Sequence, residues 1–156
     1  MSLAAVTIRP AVVEDVPKLA GLADQLGYPC KVESMADRLD QLCTRPDHAI
    51  LVAESPAAGV MGWVHVFVRP LLIAESAAEI GGLVVDSDFR SQGIGENLLK
   101  AAEAWALEAG YARLRVRSNV IRKRAHHFYH LRAYQVVKTQ IVFEKLLQED
   151  AERECS

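Results

Sequence analysis

A single α/β domain, with a mixed, mostly antiparallel central sheet flanked by about four helices, is the fold class this sequence predicts, and three observations lead to it. The 156 residues are 51% hydrophobic and 24% charged, the make-up of one compact domain and too short for two. Apolar periodicity alternates along the chain between helical and extended patterns, in the order β-α-α-β-β-β-α-β-α-β. No repeat, low-complexity tract or linker interrupts that order. Residues 1–147 are accordingly read as the domain, and 148–156 as a polar tail that frays.

Residues 6–9 are a short β-rich run that Pro10 ends. Over 14–25, Val16, Leu19, Leu22 and Ala23 recur at helical spacing, with Asp15 at the N-cap and Gly27 just past the end. Ser34 with Asp37 three residues on resembles a capping box. Met35, Leu39 and Leu42 then mark one face of a second helix that stops near Pro46. Residues 48–54 and 60–68 are strand-like and enclose Ser55-Pro56-Ala57-Ala58-Gly59, which makes a hairpin. An extended segment, 77–85, leads through a glycine-bearing loop to a helix over 96–109, where Leu98, Ala102, Trp105 and Ala109 share a face. Leu114, Val116 and Ser118 alternate with arginines as a strand. Residues 122–132 suit a short helix with Ala125, Phe128, Tyr129 and Leu131 inward, and 136–143 closes the sheet as a last strand.

Composition argues against several function classes. Cys30, Cys43 and Cys155 are odd in number and scattered, with no Cys-x-x-Cys pair. That speaks against a disulfide framework or zinc ribbon and fits a cytoplasmic protein. No apolar run approaches the ~18 residues of a membrane span, and the first ten residues lack the basic start and apolar stretch of a signal peptide. The net charge of −2 conceals an asymmetry. From Ala109 to Phe143 there is no acidic residue, yet Arg113, Arg115, Arg117, Arg122, Lys123, Arg124, Arg132 and Lys138 supply eight of the eighteen basic charges. Nucleic acid, a phosphorylated cofactor, or simply solvent would suit such a block. RNA asks for exposed aromatics among the basic residues, whereas Phe128, Tyr129 and Tyr134 all read as inward, which counts against nucleic acid.

Phe89-Arg90-Ser91-Gln92-Gly93-Ile94-Gly95-Glu96 lies between a strand and a helix. Glycines let the backbone turn its N–H groups inward, and the helix adds its positive end, so the loop can hold a diphosphate. A Gly-x-Gly turn is also ordinary loop geometry. The third glycine of a dinucleotide fingerprint and the Gly-Lys-Ser/Thr of a P-loop are both missing. His126, His127 and His130 fall on neighbouring turns of the last helix, but no His-Glu-x-x-His accompanies them and no metal is expected.

The strand ending in Leu83-Val84-Val85-Asp86, the loop Arg90-x-x-Gly93-x-Gly95, the long helix and strand after it, and a Phe128-Tyr129 pair ten residues beyond Asn119 resemble the GNAT superfamily of acetyl-CoA-dependent N-acetyltransferases. The resemblance runs from Thr7 to about Lys145. Ser91 stands where Gly is frequent, and Ala133 stands where Gly usually follows the last helix. The second departure bears on the end of the Tyr129 helix, because Ala tolerates a left-handed backbone poorly.

The resemblance implies a GNAT-like fold that moves an acetyl group from acetyl-CoA directly to an amine of a small molecule or peptide, without a metal. Backbone groups of Leu83, Val84 and Val85 would run beside the pantetheine arm. Arg90, Ser91, Gln92, Gly93, Ile94, Gly95 and Glu96 would hold the pyrophosphate. Asn119 would contact the pantetheine or the helix end, or act only as an N-cap. Gly81 and Gly82, read on their own, mark a bulge or a close approach of another backbone. Glu79 takes the strand position where histone-acetylating members carry their catalytic glutamate, and would be the general base or else only a sheet-surface carboxylate, with His65 or water then removing the proton. Tyr129 would be the general acid beside the coenzyme sulfur, or else only a buried packing ring, and a backbone N–H near Leu83 or Val84 would be the oxyanion donor. His65, on an alternating strand with Trp63 and Phe67, lines the acceptor pocket, acts as base, or is structural. No cysteine falls in the motif region, which weakens a thiol-nucleophile mechanism. A catalytically silent acyl-CoA sensor is the alternative. The acceptor has no motif of its own; the acidic remainder would suit a cationic small molecule or basic peptide, and the sequence leaves monomer or homodimer open.

Overall fold

The computed structural model describes residues 5–148. Strands β1 Thr7–Pro10, β2 His48–Ser55, β3 Gly59–Leu71, β4 Ala74–Val85 and β5 Leu114–Val116 lie side by side in chain order. The first four are antiparallel, and β5 joins β4 in parallel. Helices α1 Val16–Leu26, α2 Val32–Cys43, α3 Ile94–Glu108 and α4 Lys123–Leu131 flank this open mixed sheet, as the sequence predicts. No helix among the described residues is long and apolar enough to cross a membrane.

Alternation along β3 sorts the helices between the two faces. Val64 and Val66 pack with Leu98, Leu99 and Ala102 of α3. Trp63, on the opposite face, packs with Val52, with Val16 and Leu19 of α1, and with Leu39 of α2. Full burial of a side chain such as Leu98 or Leu99 contributes about 1.5–3 kcal/mol, so the two cores anchor the helices that frame the site.

β4 carries the irregularity that shapes this site. Its pairing slips between His65↔Gly82 and Val66↔Ile80, which leaves Gly81 unpaired. A bulge re-aims the side chains after it. Ile80, Leu83 and Val85 consequently belong to the α3 core, while positions 81 and 82 both face the α1–α2 side. A Cβ on Gly81 would stand 2.8 Å from His65 Nδ1, and one on Gly82 2.8 Å from the Trp63 ring, so any larger residue at either place would have to displace one of these rings. β5 pairs with β4 over residues 78–80 alone. Beyond that point the two strands part, and residues 81–85 have no partner on that edge among the described residues.

Several local expectations are corrected. Ser34 does not cap α2. The extended backbone at Lys31 (ψ 147°) starts that helix, and Met35 N already donates to Lys31 O at 2.9 Å. Leu131 is 68% exposed rather than inward. The half-buried residues of α4 are 125, 126, 128 and 129, and Arg132, at its C-cap, continues that side by stacking 4.0 Å over the Phe128 ring. The closing strand over 136–143 is absent, and Val136, Val142 and Phe143 are 75%, 85% and 89% exposed. β-branched residues fit a pleated surface but do not create one. β5 offers a ladder of only three residues, and this segment reaches its end through a side chain, Arg117 Nη1 donating to Gln140 Oε1 at 2.8 Å. Of the tail expected to fray, 148–156, only Gln148 lies within the described residues.

Asp15 stands at the N-cap position of α1 without capping it. Its carboxylate instead accepts from Arg9 Nη1 and Nη2 at 2.8 and 2.9 Å and from Val12 N at 2.8 Å, and Arg9 also donates to Glu54 at 2.7 and 2.9 Å. The Arg9 guanidinium holds the Asp15 carboxyl below its ordinary range. Asp15→Asn is expected to lower stability by about 1–3 kcal/mol, less than a fully buried pair would cost because Arg9 stays partly solvated. A depressed carboxyl stabilises the fold above its unfolded pKa and loses that contribution as pH falls through the folded value. Denaturant midpoints of parent and variant should therefore differ at pH 7 and converge below about pH 4.

Candidate active site

A cavity of about 950 Å³ lies where β4 and β5 part, and it reaches both faces of the sheet. On one side it is bounded by the residue 90–96 turn and by α4, on the other by α1, α2, Trp63 and His65. Leu83, Val84 and Val85 line it along the open edge of β4. So do Arg90, Ser91, Gly93, Ile94, Gly95, Glu96 and Tyr129, whereas Gln92, Glu79 and Asn119 fall outside the lining.

The 90–96 turn is built locally. Asp86 accepts from Asp88 N at 3.1 Å and from Lys18 Nζ at 2.8 Å, which ties the end of β4 to α1, and Lys18 holds the Asp86 carboxyl below its ordinary range. Arg90 Nε donates back to Val85 O at 3.3 Å. Ser91 and Gly93 are left-handed, with φ of 64° and 83°. Glycine accepts that geometry freely, whereas Ser91 bears about 1–2 kcal/mol of strain at the point where it departs from the motif. Gly93 is the N-cap of α3, and no side chain caps this end. Its first N–H groups and the positive end of the helix dipole are thus left to meet an anion.

Tyr129 is held edge-on between two rings, with centroids 5.2 Å from Phe128 and 5.6 Å from Tyr134. Tyr134 OH donates to Glu103 Oε2 at 2.9 Å and fixes this cluster against α3. Burial pushes the Tyr129 phenol up to about 12, against a small opposing effect of Arg122, so it keeps its proton at neutral pH. Ala133 closes the turn after α4 at φ 66°, the strained left-handed position anticipated for it, and Tyr134 N donates to Tyr129 O at 3.0 Å.

Asn119 Oδ1 accepts from Ile121 N at 3.1 Å, a turn two residues long, and Arg122 rather than Asn119 occupies the N-cap of α4. Two histidines of α4 meet backbone carbonyls, His126 Nε2 lying 2.9 Å from Asn119 O and His130 Nδ1 3.2 Å from Tyr134 O. Glu79 is buried on β4 opposite Phe67. Its carboxylate accepts from Arg69 Nη1 at 3.3 and 3.4 Å and from Arg117 Nε and Nη2 at 3.3 and 3.2 Å.

Charge around the cavity differs from the chain's tally. Arg117, Arg122, Lys123, Arg124 and Arg132 of the basic block line it. Glu96 is the one carboxylate among the described lining residues, with Lys100 at 3.4 Å and Arg132 at 3.8 Å. The acidic surplus therefore lies elsewhere. Sequence reasoning missed the two-arginine clamp on Glu79 and the partner of His65. That partner is His48, whose Nδ1 lies 2.9 Å from His65 Nε2. Burial, with a smaller push from His48, lowers His65 to about 4. The period-two pattern of Trp63, His65 and Phe67 was the available signal for one half of this pair; the other half depends on strand register.

Comparison with known proteins bears on the same elements. The chain has no match among curated proteins. A transcriptional regulator from Bacillus halodurans superposes with a TM-score of 0.80 at 22% identity, over 90% of this chain and 100% of that one. Glucosamine-6-phosphate N-acetyltransferase from Arabidopsis thaliana gives 0.73 at 20% identity, over 92% and 99%. AAC(6')-Iy in complex with the bisubstrate analogue CoA-S-monomethyl-acetylneamine gives 0.81 at 14% identity, also over 92% and 99%. At such identities the likeness is one of fold. The model of the acetyltransferase (GNAT) family matches residues 19–134, which contain the split sheet, the Gly-x-Gly turn and the tyrosine helix, and this chain belongs to that family.

Proposed function

We propose that residues 1–147 form a cytoplasmic N-acetyltransferase domain that moves the acetyl group of acetyl-CoA directly to an amine of a small molecule or peptide. The observation that carries this reading is the unpartnered edge of β4 over 81–85, which ends at the uncapped start of α3. A pantetheine arm can complete that edge as a further strand would, and its diphosphate then meets the amides of the 91–96 turn. Arg122, Lys123 and Arg124 of the basic block line the same cavity and would meet the remaining phosphate charge.

Acetyl-CoA would supply an activated acetyl thioester. The chain's own groups then have three tasks. Backbone N–H groups near Leu83 or Val84 stabilise negative charge developing on the carbonyl oxygen. Tyr129 Oη gives its proton to the departing sulfur. A thiol has a pKa near 8.5, so help at this step need only be brief. A primary amine with a pKa of about 10 must also lose a proton before it attacks; His65 lines the cavity and can take it, whereas Glu79 lies outside the lining and is clamped by Arg69 and Arg117, and water is the remaining candidate. Asn119 stabilises the turn that leads into α4.

Release of CoA thiol by the purified protein, measured across amino acids, polyamines, aminoglycosides and peptide N-termini, tests this reading. Coenzyme binding without turnover on any amine would turn the protein into an acyl-CoA sensor, and no coenzyme binding would dismiss both roles. The phosphate assignment has its own check. Exposed cations are screened by salt, so raising ionic strength is expected to weaken binding of CoA more than that of dephosphorylated pantetheine in calorimetric titrations. Equal sensitivity would return the basic block to solvent.

A further inference from the structure

The cavity wall includes a titratable pair that extends away from the reaction centre. His48 opens β2 and lies diagonally across the ladder from His65 on β3, for Phe67 is opposite His48 and Ile50 is opposite His65. The Nδ1 of His48 is 2.9 Å from the Nε2 of His65, and the rings stack with centroids 5.2 Å apart, backed by Phe67. The other nitrogen of His65 faces β4, since a Cβ on Gly81 would lie 2.8 Å from Nδ1. His65 and Gly81 both line the cavity. His48 does not; it is only half-buried and follows the exposed loop 44–46. The two rings thus make a continuous path from the cavity, through His65 Nδ1 and Nε2 and His48 Nδ1, to the surface.

We propose that His65 takes the acceptor's ammonium proton at Nδ1 and discharges it to solvent through His48. The inference rests on the acetyl-transfer reading and adds the route of the proton. An N–H bond of the acceptor breaks as His65 Nδ1–H forms. His65 Nε2–H breaks as His48 Nδ1–H forms, and the Nε2 proton of His48 leaves to water. One proton crosses, nothing is oxidised or reduced, and both rings recover their starting tautomers by exchange with water after product departs. The starting state needs Nε2–H on both rings, with His65 as the donor in the 2.9 Å contact.

The environment suits a conduit better than a store. His65 sits at about 4, and His48 is also lowered, by burial and Arg45 against an opposing effect of Asp47, so both rings are neutral at pH 7 and free to accept. So weak a base cannot keep an amine's proton, which is why an outlet matters. The charged groups around the pair are few. Asp47 and Arg45 bind each other at 2.9 and 3.0 Å in the loop before β2, Glu79 on β4 is held by Arg69 and Arg117, and Arg38 of α2 lines the same cavity.

The test is the pH profile of CoA-thiol release between pH 6 and 9.5, using the amine from the panel that the parent turns over fastest. His65→Gln is expected to lose about 100-fold at pH 6.5 and His48→Gln about 10-fold, with both deficits closing toward pH 9.5 as free amine accumulates. Glutamine at position 48 can still accept from His65 but cannot pass a proton on, so its loss separates conduction from packing. Calorimetric acetyl-CoA affinity should stay at the parent value in both variants, and 15N spectra of the parent should show His65 with its proton on Nε2. Deficits that do not vary with pH, unchanged turnover in both variants, or a pH-dependent deficit in Glu79→Gln alone would overturn the route, the last by giving the base role to Glu79. A parent that binds acetyl-CoA yet acetylates no amine would overturn the acetyl-transfer reading itself, and the route with it.

Discussion

Gly93→Val is expected to abolish useful coenzyme binding, weakening it by about 100-fold or more, while the chain still folds. Loss of two charge-assisted hydrogen bonds at the start of α3 would alone account for about 3 kcal/mol, which is that factor. A Cβ on Gly93 meets nothing within 4 Å, so the added side chain starts into open space, at the mouth where the diphosphate would lie. The residue also has φ 83°, and a β-branched residue held there costs about 1–2 kcal/mol. For a chain of this size that is a fall in Tm of about 2–8 °C. Gly110→Val supplies the control. It is equally left-handed (φ 91°) and equally uncrowded, but follows the other end of α3 and lies outside the cavity lining. It should cost similar stability and leave calorimetric coenzyme affinity intact. If Gly93→Val bound acetyl-CoA as the parent does, the turn would have no part in the diphosphate site.

Tyr129→Phe is expected to lower turnover by about 10- to 1000-fold at saturating substrates, with little change in acetyl-CoA affinity. The phenylalanine ring keeps the edge-on contacts with Phe128 and Tyr134, so thermal stability should move by no more than the ~1 kcal/mol of a lost hydroxyl interaction. The lower end of the range reflects the leaving group, since a thiolate departs with less need of a proton than an alkoxide. With the phenol at about 12, the parent should lose no activity to Tyr129 ionisation between pH 6 and 9.5, so the deficit of the variant should be flat where that of His65→Gln is steep. Turnover equal to the parent's, with chemistry shown to limit the rate, would remove Tyr129 as acid.

The parts of this protein legible in its sequence are those decided within a few residues. Helices and strands followed from apolar spacing, because each needs only to turn one stripe or one face inward. The Arg90 to Gly95 turn was visible because a left-handed residue before a helix is a local demand that glycine meets. Even the strain at Ala133 could be anticipated, because it stands where the resemblance to the family puts glycine after the last helix.

Tertiary structure decided the rest, and in each case through a partner distant along the chain. Strand register places His48 against His65, 17 residues on, and brings Arg69 and Arg117 to the same carboxylate of Glu79. The apolar run 136–143 has the composition of a strand, yet β5 offers it an edge only three residues long, and a ladder cannot form without its other half. Gly81 and Gly82 show both levels at once. As strand glycines they signalled a close approach, but only the folded sheet revealed that the neighbours are the rings of His65 and Trp63, and that the bulge between them opens the edge of β4 toward the cavity.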